Sequence, residues 1–262
     1  VEKIAGSVVR NSNAMMTMRR LQTLDDYTFL HSVSVCTMLT TFARAMDMEV
    51  NAIHEIALGA LLHDIGKMRV NLTVLNKPAR LSDDEFRHMK SHVVLGSDLL
   101  RQMPGIPKLA FEPLELHHER FDGTGYPHGL KGEEISLVGR MSAIVDVYDA
   151  ITSERVYHTP ISPAAAIRKI FEWSKFHFDP ALVQVFVKSV GIYPVGTLVK
   201  LESGRLGVVI EQRESNLLTP VVRVMFDSRR DCYLRPEIVD LSKPIGARSE
   251  EHTSELQSRH NL

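Results

Sequence analysis

Five stretches of this chain are patterned as amphipathic helices and carry a histidine or aspartate within or beside their apolar stripe: His31, His63-Asp64, His92, His117-His118 and Asp146. A polar side chain taken out of water without a partner is costly. One such histidine is ordinarily a satisfied core residue. Five segments, each offering one, are hard to explain unless the chain folds to bring them to a shared centre. Seven nitrogen and oxygen donors exceed what one tetrahedral ion uses. They suit two metals bridged by an aspartate, and mixed imidazole and carboxylate favours iron, manganese or zinc over calcium or magnesium alone. Such a pair activates water to hydroxide and clamps a phosphoryl group.

The surrounding pattern predicts a mainly α protein with a small C-terminal antiparallel β domain. Apolar residues Ile53, Ile56, Ala57, Ala60 and Leu61 form a helical stripe that Gly66 interrupts just past the His-Asp pair. Ser82 with Glu85 three residues on is a capping box, and Ser162 followed by Pro163 opens another helix. "LVGRMSAIVDVYDAITSERVY" reads as one amphipathic repeat. After Gly191 the period shortens to two around a Ser-Gly turn and a charged turn. The expected organisation is a helical domain over 1–190, a β-barrel-like unit over 191–243, and a tail over 244–262. From Arg248 the tail reads codon for codon as a translated sequencing adapter, so it is expected to be non-native and to take no part in the fold. The absence of an initiator Met predicts a fragment whose upstream, signal-receiving domain is missing.

With a net charge of -1 the chain is no nucleic-acid or membrane-surface binder working by bulk electrostatics. No apolar run approaches the roughly 20 residues that span a bilayer. Two distant cysteines, Cys36 and Cys232, match no metal spacing and predict reduced thiols in a cytoplasmic protein. The stretch "HHERFDGTGYP", residues 117–127, joins two of the candidate ligands to a loop built on glycine and proline. Gly123 and Gly125 there permit backbone conformations closed to other residues, and Pro127 stiffens the exit.

The order H…HD…H…HH…D, with "HDIGK", "HHERFDGTGYP", "GLKGEEI" and "DVYDAITSERVY", resembles the HD-GYP subgroup of the HD-domain phosphohydrolases from about Asp25 to about Ile170. The resemblance implies an HD-type helical bundle and a phosphodiesterase that opens cyclic di-GMP to pGpG and can cut on to GMP. It implies metal ligation by His31, His63, Asp64, His92, His117, His118 and Asp146, with Asp64 bridging two divalent ions, iron or manganese foremost. Lys67 would steady the scissile phosphate beside the catalytic Asp64, and Gly125, Tyr126, Pro127 and Arg155 would meet the substrate. Asp149 reads as a supporting or capping carboxylate. Tyr27 occupies the position where members with three metals carry glutamate, so two metals are expected. His158 stands where many members carry Lys or Arg. A diguanylate cyclase (GGDEF) partner docking on the GYP loop is a second implied partner. The rivals are a non-catalytic module binding cyclic di-GMP or such a cyclase, and an HD hydrolase of another nucleotide. Retention of all seven ligands ranks the non-catalytic module second, and the GYP string, through the resemblance, ranks the hydrolase of another nucleotide third.

Overall fold

The apolar stripes fold as expected, and their packing decides where the polar centre lies. The structure is a computed structural model and describes residues 26–153, 160–191, 193, 195–212, 219–243 and 257–258. Helix α1 (Asp26–Ala45) packs along α2 (Val50–Leu62). A 3-10 turn (Ile65–Arg69) follows, then the short α3 (Leu72–Leu75), α4 (Asp83–Lys90) and α5 (His92–Arg101). After a second 3-10 turn (Lys108–Ala110) come α6 (Phe111–Leu116), a long loop, α7 (Leu137–Thr152), α8 (Pro163–Trp173) and α9 (Pro180–Val190).

Each helix start carries its local cause. Ser82 and Glu85 form the reciprocal capping box of α4. Ser136, Ser162 and Asp179 accept backbone N–H groups at the starts of α7, α8 and α9, and the last two precede a proline at the first helical position. α9 stops at Gly191, whose φ of 79° is left-handed. One expected span is corrected. The repeat containing Asp146 stops at Thr152, because Ser153 is extended (φ -91°, ψ 146°). A continuous helical spacing from Asp146 to Arg155 therefore does not hold, and Arg155 and His158 lie outside the described residues.

Two apolar clusters flank the centre. The larger draws Leu39 and Phe42 of α1, Ile56 of α2, Met141 and Ile144 of α7, Ile170 of α8 and Phe186 of α9. The rings of Phe42 and Phe186 lie 5.5 Å apart, and truncating a phenylalanine so placed costs about 3–5 kcal/mol. The smaller consists of Leu62, Ile65, Leu100 and Leu114 with partly buried neighbours. Leu62 and Ile65 immediately bracket His63-Asp64 and are fully buried, so the His-Asp pair is carried inside with them. The polar pair is thus seated within the smaller cluster, while His31 and Asp146 come from helices of the larger.

Beyond Gly191 an antiparallel sheet follows, formed by β1 (Leu198–Lys200), β2 (Arg205–Glu211), β3 (Val221–Asp227), β4 (Cys232–Asp240) and β5 (Gln257–Ser258), in the order β4-β3-β2-β1-β5. Val199, Leu201, Val209, Val222 and Val224 make its apolar face. The expected turns are present at Gly204 and between Asp227 and Cys232. The tail departs from its expected absence from the fold at two residues, where Ser258 and Gln257 pair with Val199 and Lys200 of β1. An edge strand offers unpaired backbone groups to any extended segment, whatever its side chains. Among the described residues no helix is long and apolar enough to cross a membrane.

Candidate metal centre

His31 comes from α1, His63 and Asp64 from the end of α2, His92 from the first residue of α5, His117 and His118 from the end of α6, and Asp146 from α7. All seven converge. His118 is one-quarter exposed through its side chain, and the other six are buried. The His-Asp turn reaches α5 only because residue 66 is glycine: a Cβ there would overlap the carbonyl oxygen of His92.

The donors divide into two trios, His31-His63-Asp64 and His92-His117-His118, each with its ligand atoms within 4.8 Å of one another. Asp64 stands between them. Its Oδ2 lies 3.4 Å from His63 Nε2 and 3.8 Å from His31 Nε2. Its Oδ1 lies 3.4 Å from His92 Nε2 and 4.0 Å from His117 Nε2. Asp146 turns Oδ1 to His31 Nε2 at 2.9 Å and to His63 Nε2 at 3.6 Å, and Oδ2 to His118 Nδ1 at 3.9 Å.

The outer faces of the rings are held. Nδ1 of His63, His92 and His117 donates to the carbonyls of Ala60, Met89 and Pro113 respectively, at 2.7, 2.7 and 2.9 Å. That leaves Nε2 of each ring aimed at the centre, the arrangement by which an outer hydrogen bond fixes the tautomer of a ligating histidine. His31 is held by Asp149 instead, with Nδ1 to Oδ2 at 2.6 Å, and Ser34 donates to the other Asp149 oxygen. Asp149 is thus a supporting carboxylate. Its position three residues after Asp146 on one helix was the signal for it.

Protonation differs across the centre. Burial disfavours the charged form of every histidine here. At His63 the nearby carboxylates of Asp64 and Asp146 outweigh burial and raise the pKa to about 10. His31 is raised for the same reason, by Asp146 and Asp149. Burial prevails at His92 and His117, and it pushes His118 down to about 3. Asp64 and Asp146 are held well below the usual carboxylate range despite burial, Asp64 chiefly by Lys67 and His63, and Asp146 chiefly by its hydrogen bond with His31 and by the nearby His63.

These residues fit a divalent metal. His63 Nε2 and Asp64 Oδ1 are buried and make no hydrogen bond. Such orphaned groups are expensive unless an ion takes them. Imidazole nitrogens with fixed lone pairs and a carboxylate presented to both sides form a donor set suited to borderline transition metals.

The loop after the twin histidines folds back over them. Tyr126 N–H donates to the carbonyl of His118, and its ring stacks on His118 at 4.6 Å and 30°. Asp122 makes the turn, accepting from the backbone and hydroxyl of Thr124. Gly123 has a left-handed φ of 85°. Gly125 has no such φ; it is needed because a Cβ there would collide with the backbone of His118, Glu119 and Arg120. Glu119 was not singled out from sequence, yet it holds the loop: the buried carboxylate accepts the backbone N–H of His128 at 2.7 Å and of Leu130 at 3.1 Å. Its signal was an acid directly between metal ligands and a loop with unpaired backbone donors. Lys67 Nζ lies 2.6 Å from Asp64 Oδ2 at the edge of the centre. Tyr27 stacks on His31, with ring centroids 5.9 Å apart.

A helical bundle that gathers His, His-Asp, His, His-His and Asp around one buried centre defines a class. The HD domain family model matches residues 11–182, and the chain belongs to that family. It is 48% identical over 243 residues to the cyclic di-GMP phosphodiesterase PA4108 of Pseudomonas aeruginosa, an alignment covering 93% of this chain and 58% of that protein. It is 38% identical over 165 residues to a cyclic di-GMP phosphodiesterase of Thermotoga maritima, covering 63% of this chain and 45% of the relative. The chain therefore spans about half the length of these relatives. Among solved structures, Bd1817, an HDG"Y"P protein of Bdellovibrio bacteriovorus, shares the fold with a TM-score of 0.50 at 20% identity, over 60% of this chain and 50% of that one.

Proposed function

We propose that this chain is a metal-dependent phosphodiesterase that hydrolyses cyclic di-GMP to pGpG and onward to GMP. His31, His63, Asp64, His92, His117, His118 and Asp146 would hold two ions, iron or manganese. The observation that carries this reading is the Asp64 carboxylate, one oxygen facing His31 and His63, the other facing His92 and His117. A bridging ligand needs that presentation. The 48% identity to a cyclic di-GMP phosphodiesterase across nearly the whole chain supports the substrate.

When bound, the ion pair supplies Lewis acidity toward the phosphoryl oxygens and makes water a nucleophile near neutral pH. The protein's own groups do the rest. The buried carboxylates favour the protonated forms of His31 and His63, so these residues would release protons in order to hold the ions. The Lys67 ammonium, partly exposed beside Asp64, meets the scissile phosphate and balances its developing charge. Burial raises the Tyr126 phenol above its ordinary pKa, so it stays protonated and donates to a phosphate oxygen, and the loop around Gly125 and Pro127 keeps its ring over His118. Arg155 is assigned to phosphate or guanine by its place in the motif. Exposed loop residues Thr124, His128 and Gly129 are the surface offered to a diguanylate cyclase. The free cysteines Cys36 and Cys232 accord with a cytoplasmic setting.

Anaerobic purification, metal analysis and chromatography of cyclic di-GMP digests test the proposal. Asp64→Ala should lose metal and turnover together while its circular dichroism stays native. An Asp64→Ala protein with native metal content and near-normal turnover would overturn the bridged-metal reading.

A further inference from the structure

Beside the metal centre a cavity of about 310 Å³ runs from His118 and Tyr126 toward the C-terminal end of α8, where Trp173, His177 and Phe178 meet Arg120. Ligand pockets run from about 300 to 1,000 Å³. This one is therefore sized for part of a cyclic dinucleotide. Its location has a specific cause. The backbone N–H of Phe121 donates to the carbonyl of His177 at 2.9 Å, which pins the α8–α9 turn against the segment that follows the twin histidines. Asp179 caps α9 and pairs with Arg140 of α7 at 2.8 Å, fixing the same turn from the other side.

The lining has two chemical faces. Trp173 and Phe178 give aromatic surface. Arg120 and His177 give polar edges, and among the described residues the Arg120 guanidinium makes no hydrogen bond or ion pair, although it lies only two residues past His118. Burial and the neighbouring Arg120 depress the His177 pKa, so its imidazole is neutral at pH 7. A flat aromatic surface with an uncommitted planar cation suits a purine base attached to a phosphate held at the adjacent centre.

We infer that this cavity is the subsite for one purine base of the substrate, with Trp173 as stacking platform and Arg120 as the residue that selects guanine. The inference rests on the cyclic-di-GMP reading above and adds specificity determinants outside the metal site and the GYP loop. Guanine presents two acceptors, O6 and N7, on its outer edge, and an arginine fork donates to both. Adenine replaces the O6 acceptor with an amino donor, which faces a guanidinium that can only donate. Stacking on Trp173 binds either base, whereas Arg120 tells them apart.

The test is steady-state hydrolysis and equilibrium binding of cyclic di-GMP and cyclic di-AMP by the anaerobically loaded wild type and by Arg120→Ala, Arg120→Lys, Trp173→Ala and Trp173→Phe. Arg120→Ala should raise KM and Kd for cyclic di-GMP roughly 10- to 100-fold and erode the guanine preference by a similar factor. Metal content should hold and kcat should change little. Arg120→Lys should not restore the preference, because a single ammonium does not span two acceptors. Trp173→Ala should weaken both nucleotides about tenfold or more, with Trp173→Phe recovering much of the loss. Unchanged KM, Kd and preference in Arg120→Ala overturns the subsite, as does a fall in kcat with the preference intact. A wild type that binds cyclic di-GMP without cleaving it defeats the hydrolase reading alone, since the Kd series still decides the subsite.

Discussion

The two halves of the metal centre hold their histidines by different means. On one side His31 is gripped by carboxylates, Asp149 behind and Asp146 in front, and His63 faces Asp64 and Asp146. On the other, His92 and His117 lean on backbone carbonyls, and His118 leans on the Tyr126 ring with Asp146 Oδ2 3.9 Å from its Nδ1. The carboxylates favour protonated imidazoles in the first half, and burial favours neutral ones in the second. The number of imidazoles therefore does not by itself set the character of a site. A carboxylate behind a ring raises its basicity, whereas a carbonyl fixes its tautomer at less electrostatic cost. Asp64 faces both halves, and Asp146 reaches from the first to His118 at 3.9 Å.

The largest effect expected after loss of Asp64 itself comes from removing a ligand of one half. If the centre holds two metals as proposed, His117→Ala should leave about one per chain, and His63→Ala should do the same from the other side. Each should lower turnover on the order of 10²–10³-fold. Elemental analysis of anaerobic protein reads the ratio, and a variant that sheds both metals would merge the halves into one cooperative site.

A smaller, one-sided effect belongs to Asp149→Ala. It removes the carboxylate behind His31 and should weaken metal binding in that half about 10- to 100-fold. Two-site titration with manganese should show one affinity moved and the other held. Equal weakening of both would break the distinction.

Acidity should separate the halves as well. His63 has its pKa raised to about 10, so a metal must displace its proton, and loading of that half weakens as pH falls and strengthens as pH rises toward 10. In the other half the histidines are depressed below 6.5, His118 to about 3, and they are already neutral at pH 7. Between pH 8 and 6 the first affinity should drop steeply and the second little. Parallel slopes in metal titrations at several pH values would contradict this assignment.

The smallest effect tests a region outside the comparison. Ending the chain at Ala247 removes the Gln257–Ser258 pairing with β1 and should alter stability by no more than about 0.5 kcal/mol, with metal content and turnover intact. Thermal melts and activity assays of the shortened protein measure it.

The seven converging side chains were legible because each interrupts a local pattern. A histidine in a helical apolar stripe stands out in a window of eleven residues, and caps such as Ser82 or Ser162 act within one turn. The alternation after Gly191 was legible for the same reason. The role of Gly125 was only half legible, because the demand on it comes from the backbone of residues 118–120 lying against it and not from its own φ. The end of α7 at Thr152 was misplaced because the amphipathic pattern runs on past it, and periodicity does not mark where a chain turns away.

From sequence alone came the identity of the seven donors, the mainly helical class with a terminal sheet, and the glycine-built loop after the twin histidines. These follow from short-range rules of spacing, capping and turn chemistry. Only the tertiary structure decided that Asp64 divides the donors into two trios, that Glu119 holds the loop, and that Arg120 and Trp173 line one cavity. His31 and Asp146 meet across 115 residues of sequence, a contact that depends on how two apolar clusters pack and not on any local repeat. Helix packing sets which side chains share a centre, and charge and hydrogen bonding there then set which of them carry protons.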